Sequence, residues 1–374
     1  MDKVRIGIIG LGNIGVKHAE YLLKGKVPGG ELSAVCVRNP SRHHEWIKSN
    51  LDENVQIFDD IDKFLAAKVV DGILVATPHY SHPTVAIQAL EKGYHVLLEK
   101  PAGVYTKNVR ELNNVALKNN SLTFGMMYNQ RANPLYQKLR DLIQAGELGE
   151  IKRINWLVTN WYRPQSYYNS SSWRATWAGE GGGVLINQAF HQLDLWQWIC
   201  GMPKRMRAFC ALGRYHQIEV EDDVTAYMEY PNGATGVFIT STGEAPGSNR
   251  FELSGERGKI VIEDGQLNFW RLQIPERQFN QECKEAFGKP ECSKLEIPIQ
   301  GPDGGHAAIT ANWVAAILHG ASLLAPGVEG IKALEICNAM YLSAWTDNWV
   351  ELPIDAEVYY TKLQEKIQSN LNPR

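Results

Sequence analysis

Gly10-Leu11-Gly12-Asn13-Ile14-Gly15 follows directly on the apolar run Val4–Ile9 and leads into a helical pattern. Nothing else in the chain constrains its fold as tightly. In such a segment the first glycine allows a tight turn, the second lets backbone approach a pyrophosphate, and the third permits close helix–strand packing. The helix that opens there turns unpaired N–H groups toward the phosphates. A lone G-x-G-x-x-G is weak evidence, but this one sits between a strand and a helix inside a repeating β–α pattern. It predicts a dinucleotide site contacted by Gly10, Gly12, Asn13, Ile14 and Gly15.

The repeating pattern runs through the first third of the chain. Strands are expected at residues 4–9, 32–37, 55–58, 73–76, 95–98 and 122–126, with amphipathic helices between them, such as 82–92 and 107–119. Strand–helix alternation implies a parallel sheet covered on both faces, here a doubly wound domain over residues 1–125. Residues 126–374 read differently. A helix at 134–145 precedes a strand at 151–161 and a helix at 187–200. Consecutive two-period strands follow at 224–230, 234–241, 251–254 and 259–263, and helices return at 309–318 and 331–347. Strands without crossover helices suggest an antiparallel sheet with one covered face. The expected class is therefore α/β, a doubly wound domain followed by an α+β domain, within the two or three domains that 374 residues allow.

The net charge is −3 and no stretch concentrates Lys or Arg, which excludes a nucleic-acid binder working through bulk positive charge. No apolar run approaches the ~20 residues of a membrane span, and no signal-peptide pattern opens the chain. A cytoplasmic protein is expected, with neither nucleic acid nor membrane as partner. The six cysteines form no C-x-x-C and no paired Cys/His spacing, so no metal site is expected; a Cys283–Cys292 disulfide stays open.

An acidic residue about 20 positions beyond the fingerprint normally takes the ribose hydroxyls of NAD. The second strand here ends Cys36-Val37-Arg38-Asn39, so that carboxylate is missing. Arg38, with Ser41 and Arg42 nearby, can accept a 2′-phosphate and favours NADP; as solvated turn residues they leave NAD open. Glu99-Lys100-Pro101 stands at the end of the fifth strand, where open α/β sheets bind their ligands. A partly desolvated Lys100 there can stabilise an alkoxide or relay a proton. Further on, Gly181-Gly182-Gly183 precedes an apolar helix carrying Asn187, His191 and Asp194. Asn187 and His191 are four apart and would share a helical face. His191 is the natural proton acceptor at neutral pH. Asp194 is either the group that orients the imidazole or a partner within the helix.

Taken in this order, the fingerprint, Thr77-Pro78-His79, Glu99-Lys100-Pro101 and Gly-Gly-Gly…His-x-x-Asp resemble the glucose–fructose oxidoreductase / inositol dehydrogenase / MocA family along nearly the whole chain. The resemblance implies a Rossmann domain followed by a domain with an open, mainly antiparallel sheet that often mediates homodimers or homotetramers. It implies that Thr77, Pro78, His79, His82, Glu99 and Lys100 border the cofactor, and that Lys100 and His191 are catalytic. The family usually has Asp where this chain has Asn187. Asn can orient a substrate hydroxyl but cannot exchange a proton, so Lys100 and His191 must share that work.

Six of the 11 tryptophans lie between residues 156 and 198. Aromatic faces in a loop beside a catalytic helix suit the C–H faces of a sugar ring, and Arg, Asn and Tyr edges suit its hydroxyls. Trp161, Arg163, Trp173 and Arg174 are the expected substrate wall, with Asn187, His191 and His306; Trp156, Trp196 and Trp198 are expected in the core. Trp173–Trp177 followed by the glycine run resembles family members that oxidise sugar rings, including glycosides at C3. The expected activity is NAD(P)-dependent hydride transfer at a secondary alcohol or ketone of a sugar, glycoside or inositol. Two other readings stay open: redox-neutral cleavage of a glycoside on a transiently reduced bound cofactor, and a non-catalytic nicotinamide sensor, which the joint presence of Lys100 and His191 disfavours.

Overall fold

The computed structural model describes residues 2–371. By contact the chain forms two compact units, one of residues 1–132 with 304–334, the other of 133–303 with 335–374.

The first unit is built on six parallel strands: β1 (Val4–Ile9), β2 (Gly30–Cys36), β3 (Gln56–Phe58), β4 (Gly72–Val75), β5 (His95–Leu98) and β6 (Phe124–Met126), in the order β3-β2-β1-β4-β5-β6. The central strands are apolar on both faces, as a sheet covered by helices requires. The helices are α1 (Asn13–Leu23), α2 (His44–Asn50), α3 (Ile61–Ala67), α4 (His82–Glu91) and α5 (Thr106–Lys118). The order reverses between β1 and β4, so the switch point of this doubly wound sheet lies beside the fingerprint turn.

Sequence reading assigned everything beyond residue 125 to the second domain, but residues 304–334 pack with the first unit. A later helix of that stretch, residues 305–319, carries the fully buried Trp313. Its indole N–H donates to Thr123 O at 3.3 Å, and the ring fills space that a Cβ at Gly72 would occupy at 2.5 Å. Nearby, Met126 N donates to Ala325 O at 2.9 Å, and the buried Arg131 pairs with Glu329. An apolar helical period shows that a helix buries a face, but not which layer receives it.

The second unit carries nine strands: β7 (Ile151–Val158), β8 (Arg205–Leu212), β9 (Glu221–Glu229), β10 (Thr235–Ser241), β11 (Asn249–Gly255), β12 (Gly258–Glu263), β13 (Gln266–Leu272), β14 (Cys292–Ile297) and β15 (Val350–Glu351). Their order is β14-β13-β12-β11-β7-β10-β9-β8-β15, antiparallel throughout except for the β7–β10 pair. Buried and exposed residues alternate along β9, with Val224, Ala226 and Met228 inward and Tyr227 outward. Its helices are α6 (Pro134–Gln144), α7 (Gln165–Tyr168), α8 (Phe190–Cys200) and α9 (Glu276–Glu282), before the 305–319 helix, now α10. The longer α11 (Gly330–Thr346) and α12 (Ala356–Leu371) close the chain. Trp156 stacks on Phe251 at 4.0 Å and Trp196 meets Phe238 edge-on, so both are core as expected. Trp198 is only partly buried, under the Arg140 guanidinium.

One open alternative closes and one expectation changes. All six cysteines are free, so there is no Cys283–Cys292 disulfide. The helix expected from residue 187 begins only at Phe190; Asn187 lies in the turn before it and shares no regular helical face with His191. Among the described residues no helix is long and apolar enough to cross a membrane, and no cluster of His, Cys, Asp and Glu could hold a metal ion.

Replacing Trp313 by Ala should destabilise the first unit by about 3–5 kcal/mol, the usual cost of emptying a large core aromatic site. Urea unfolding followed by far-UV circular dichroism measures it; an unchanged midpoint would mean that α10 is not part of this core.

Candidate active site

The fingerprint turn leaves little choice of residue. Gly10 sits at φ +100°, where a Cβ would lie 2.5 Å from Ala76 O, and a Cβ on Gly15 would lie 1.9 Å from Gly10 O. Gly12 is different: its Cβ position faces open space. Gly12 also caps α1 with no side-chain hydrogen bond, so the first N–H groups of the helix are left for an incoming acceptor. Asn13 is exposed and Ile14 half-buried on this edge. At the end of β4, the buried Thr77 Oγ1 has no partner among the described residues. An open approach at Gly12, uncapped helix amides and an orphaned hydroxyl are what a dinucleotide pyrophosphate and its flanking groups would use. Pro78 is exposed beside them, and His79 is half-buried.

His82 was expected beside the cofactor. It is fully buried, and its ring nitrogens lie 2.7 Å from Pro101 O and 2.6 Å from Thr77 O. Burial pushes its pKa down against the pull of the Pro101 carbonyl and Glu99. It therefore acts as a strut joining the Thr77-Pro78 turn to the Lys100-Pro101 turn.

Glu99 is also buried, with its Oε1 2.7 Å from His18 Nε2 and its Oε2 accepting the Lys100 N–H at 3.0 Å. Burial alone would raise its pKa, but the hydrogen bond and charge of His18, with His306 and Lys100, outweigh it and hold the carboxyl at about 2. The consequence for Lys100 is a fixed backbone at the end of β5. His306, expected on the substrate wall, packs within the first unit, edge-on to His18 at 5.5 Å. Burial lowers its pKa against the pull of Glu99. Arg38, Ser41 and Arg42 are exposed beyond the end of β2, and neither arginine has a carboxylate partner among the described residues.

The second unit assembles the aromatic segment around Tyr167. Its hydroxyl accepts from Arg174 Nη1 at 2.6 Å, Gln188 Nε2 at 3.2 Å and Asn187 Nδ2 at 3.3 Å. The Arg174 guanidinium lies over the rings of Tyr167, at 4.3 Å, and Trp173, at 4.8 Å. Arg163 lies over Tyr167 at 5.1 Å and Trp161 at 5.8 Å. Trp161, Arg163, Trp173, Arg174 and Asn187 are thus brought into one cluster. Trp173 is the most exposed of them, at 41%.

Three carboxylates that sequence reading passed over hold this cluster. Glu180, buried, accepts from Asn187 Nδ2 and from Ala175 N at 2.7 Å, and lies 3.7 Å from Arg174. Ala175 needs that bond because it sits at φ +53°, a conformation alanine adopts only when its surroundings impose it. Asp222 accepts from the backbone N–H groups of Arg214, Tyr215 and His216 and meets His216 Nδ1 at 2.9 Å. His216 Nε2 in turn reaches Arg163 O at 2.7 Å. Glu219 takes the Trp177 N–H, which puts Trp177 in the core against Tyr341 and Trp345. The available signal was position: Glu180 immediately precedes the glycine run, and Asp222 is the second residue of β9. On α8, His191 is half-buried on the second residue, while Asp194 is buried and accepts from Gln197 Nε2 at 2.9 Å.

A doubly wound sheet with an open fingerprint turn, followed by a mainly antiparallel sheet bearing a polar aromatic cluster, defines a dinucleotide-binding oxidoreductase. The family model described as an oxidoreductase family with an NAD-binding Rossmann fold matches residues 4–126, and that of the GFO/IDH/MocA C-terminal domain matches 136–261. The chain belongs to the Gfo/Idh/MocA oxidoreductase family. It is 25% identical to levoglucosan dehydrogenase of Pseudarthrobacter phenanthrenivorans over 94% of this chain and 99% of that one. It is also 25% identical to inositol 2-dehydrogenase of Corynebacterium glutamicum, over 53% of this chain and 54% of that one. Among solved structures, WlbA dehydrogenase from Chromobacterium violaceum in complex with NADH and UDP-GlcNAcA superposes with a TM-score of 0.80 at 28% identity. The match covers 95% of this chain and 97% of that one.

Replacing His18 by Ala should leave Glu99 a buried charge without its main partner, costing about 3–5 kcal/mol. Because the folded pKa of Glu99 is depressed, its contribution is present above about 4.5 and lost as pH falls toward about 2. The acid-unfolding midpoint of the variant should therefore move to higher pH, as read by circular dichroism. An unmoved midpoint would show that the pair does not hold Glu99 ionised.

Proposed function

We propose that the protein is an NAD(P)-dependent dehydrogenase that moves a hydride between nicotinamide and a secondary alcohol or ketone of a sugar, glycoside or inositol. The observation that carries this reading is Lys100, whose backbone is fixed by buried Glu99 at the end of β5 in a unit with an open fingerprint turn. The names of the similar proteins, levoglucosan dehydrogenase and inositol 2-dehydrogenase, support the substrate class. Bound nicotinamide would supply the hydride acceptor. Gly12, the first amides of α1 and Thr77 would hold that cofactor, with Asn13, Ile14, Pro78 and His79 on its border.

On this reading the Lys100 ammonium polarises the substrate oxygen, and His191 takes the hydroxyl proton. Asn187 cannot exchange a proton. Its amide donates to Glu180 and Tyr167, which fixes the side chain to orient a substrate hydroxyl. Trp161 and Trp173 offer faces for a ring, and Arg163 offers donors to its oxygens. The Trp173–Trp177 segment supports ring oxidation, with C3 of a glycoside as one position.

The exposed, unpaired Arg38 and Arg42 favour NADP, since a guanidinium pair can take a 2′-phosphate. Replacing both by Ala should raise KM for NADP by about tenfold or more, the loss of one or two charge-assisted hydrogen bonds, and leave KM for NAD little changed. Steady-state kinetics with both cofactors decides it, and equal effects on the two would remove the preference.

The direct test is incubation with NAD or NADP across inositols, free sugars and glycosides, including levoglucosan, following nicotinamide absorbance. Lys100→Met should abolish turnover and leave cofactor binding, read by fluorescence of the reduced nicotinamide, within about twofold. Full turnover in that variant would sink the assignment. Release of an aglycone without net nicotinamide reduction would instead favour the redox-neutral cycle.

A further inference from the structure

Glu221, the first residue of β9, belongs to none of the roles assigned above. Its side chain is completely buried in the second unit. Oε1 accepts the Leu185 N–H at 2.9 Å, the Gly183 N–H at 3.1 Å and the Tyr341 hydroxyl at 2.7 Å; Oε2 lies 3.0 Å from the same Gly183 N. The Val184 N–H donates to Glu221 O at 3.1 Å. One residue thus takes three successive amides of the segment that leads to the histidine.

The glycine run fits around this residue and its partner. A Cβ on Gly183 would lie 2.0 Å from Glu221 O, and one on Gly182, at φ +150°, would lie 2.1 Å from the Tyr341 hydroxyl. The restraint passes along the chain by short steps. Asn187 N donates to Gly183 O and Ala189 N to Val184 O, and α8 begins at Phe190 with His191 next. The amides of 183–185 are thus held by Glu221, and Ala189 N reaches five residues back to Val184 O, a non-helical step directly before α8.

We propose that Glu221 is a positioning residue: its carboxylate clamps the amides of Gly183 and Leu185 and thereby sets the place of Asn187 and His191. The proposal rests on the reading of His191 as the proton acceptor. The clamp needs the ionised form, because all its partners arrive as donors and a protonated oxygen would turn a fourth donor toward them.

Burial raises the Glu221 carboxyl to about 7 against the bonds from Leu185, Tyr341 and Gly183. The titratable groups that face it are Tyr341 and Cys337 on α11, Cys210 on β8, and Tyr168, beside Asp222 and Asp223 on its own strand. Burial pushes both thiols and both phenols up, so they stay neutral near pH 7. Among the described residues Glu221 has no ion pair. Below about pH 7 the clamp should loosen, although protonation itself favours the folded state, since the folded pKa lies above the unfolded one. Loss of turnover on acidification should therefore come without loss of thermal stability from this group.

The test compares the full-length protein with Glu221→Gln and Tyr341→Phe. Hydrogen exchange by mass spectrometry, corrected for the intrinsic pH effect, reads the amides of 183–185 without any substrate. In Glu221→Gln the amides of Gly183 and Leu185 should lose protection and those of the first unit should keep it. Turnover of whichever of myo-inositol, levoglucosan or methyl glucoside the wild type oxidises should fall about 100-fold, the effect of a misplacement near 1 Å. Cofactor affinity should be unchanged, and the part of the acid limb of kcat that Glu221 sets near pH 7 should vanish, leaving the limb of the His191 base alone. Tyr341→Phe, which keeps the charge and the amide bonds, should retain the protection and move that limb to higher pH.

Unchanged protection in Glu221→Gln, or protection lost equally across both units, would overturn the clamp. Unchanged kcat alongside lost protection would overturn its positioning role. His191→Ala serves as control: if that variant keeps full turnover, the base assignment fails, while the exchange result still decides the clamp.

Discussion

A carboxylate removed from water must be met by donors or a counter-charge, and the costly alternative is a neutral acid or an unfolded loop. This protein uses that requirement to fix irregular backbone. Glu99 is met by an imidazole and the N–H of the next residue, Glu221 by two backbone amides and a phenol, Asp222 by three amides and an imidazole, and Glu180 by an amide N–H and an Asn side chain. Each stands where a turn carries a residue expected to do chemistry or to touch substrate. A turn has no ladder of its own to satisfy its amides, so buried acids supply what helices and strands provide for themselves.

The same logic organises the aromatic cluster. Two guanidiniums stacked on one tyrosine keep part of their donor capacity, because stacking uses the faces and leaves the edges. Arg174 gives one edge to the Tyr167 hydroxyl, and Glu180 lies close enough to neutralise it. Arg163 forms no ion pair among the described residues and is anchored by backbone instead, through His216 and Asp222. The cluster is fixed before any ligand arrives, which reduces the ordering entropy that binding would otherwise cost.

The first unit was largely legible in the sequence because its signals are periodic and local. The fingerprint, the six strands and the Lys100 turn all rest on spacing within a few residues, and each strand lies within two or three residues of its expected bounds. The second unit was less legible where its order comes from distant acids. The acidic run Glu219-Val220-Glu221-Asp222-Asp223 carries no two-period apolar signal, and β9 starts at Glu221, three residues before its expected start at 224. Asn187 and His191 have helical spacing, yet the segment before α8 is an irregular turn whose Gly183 and Leu185 amides are held by a carboxylate more than thirty residues away. The contact of His306 with His18 was not legible either, since the packing of α10 in the first unit sets it.

The placement of Trp313 and its helix in the first unit has a consequence for the making of the protein. A ribosome releases residues 1–132 roughly two hundred residues before the stretch that completes their core. At about 5–20 residues per second the unfinished sheet must wait on the order of 10–40 s, with the cavity meant for an indole still unfilled. During that interval the nascent domain is an incomplete folding unit with apolar surface uncovered, open to chaperones or to wrong partners.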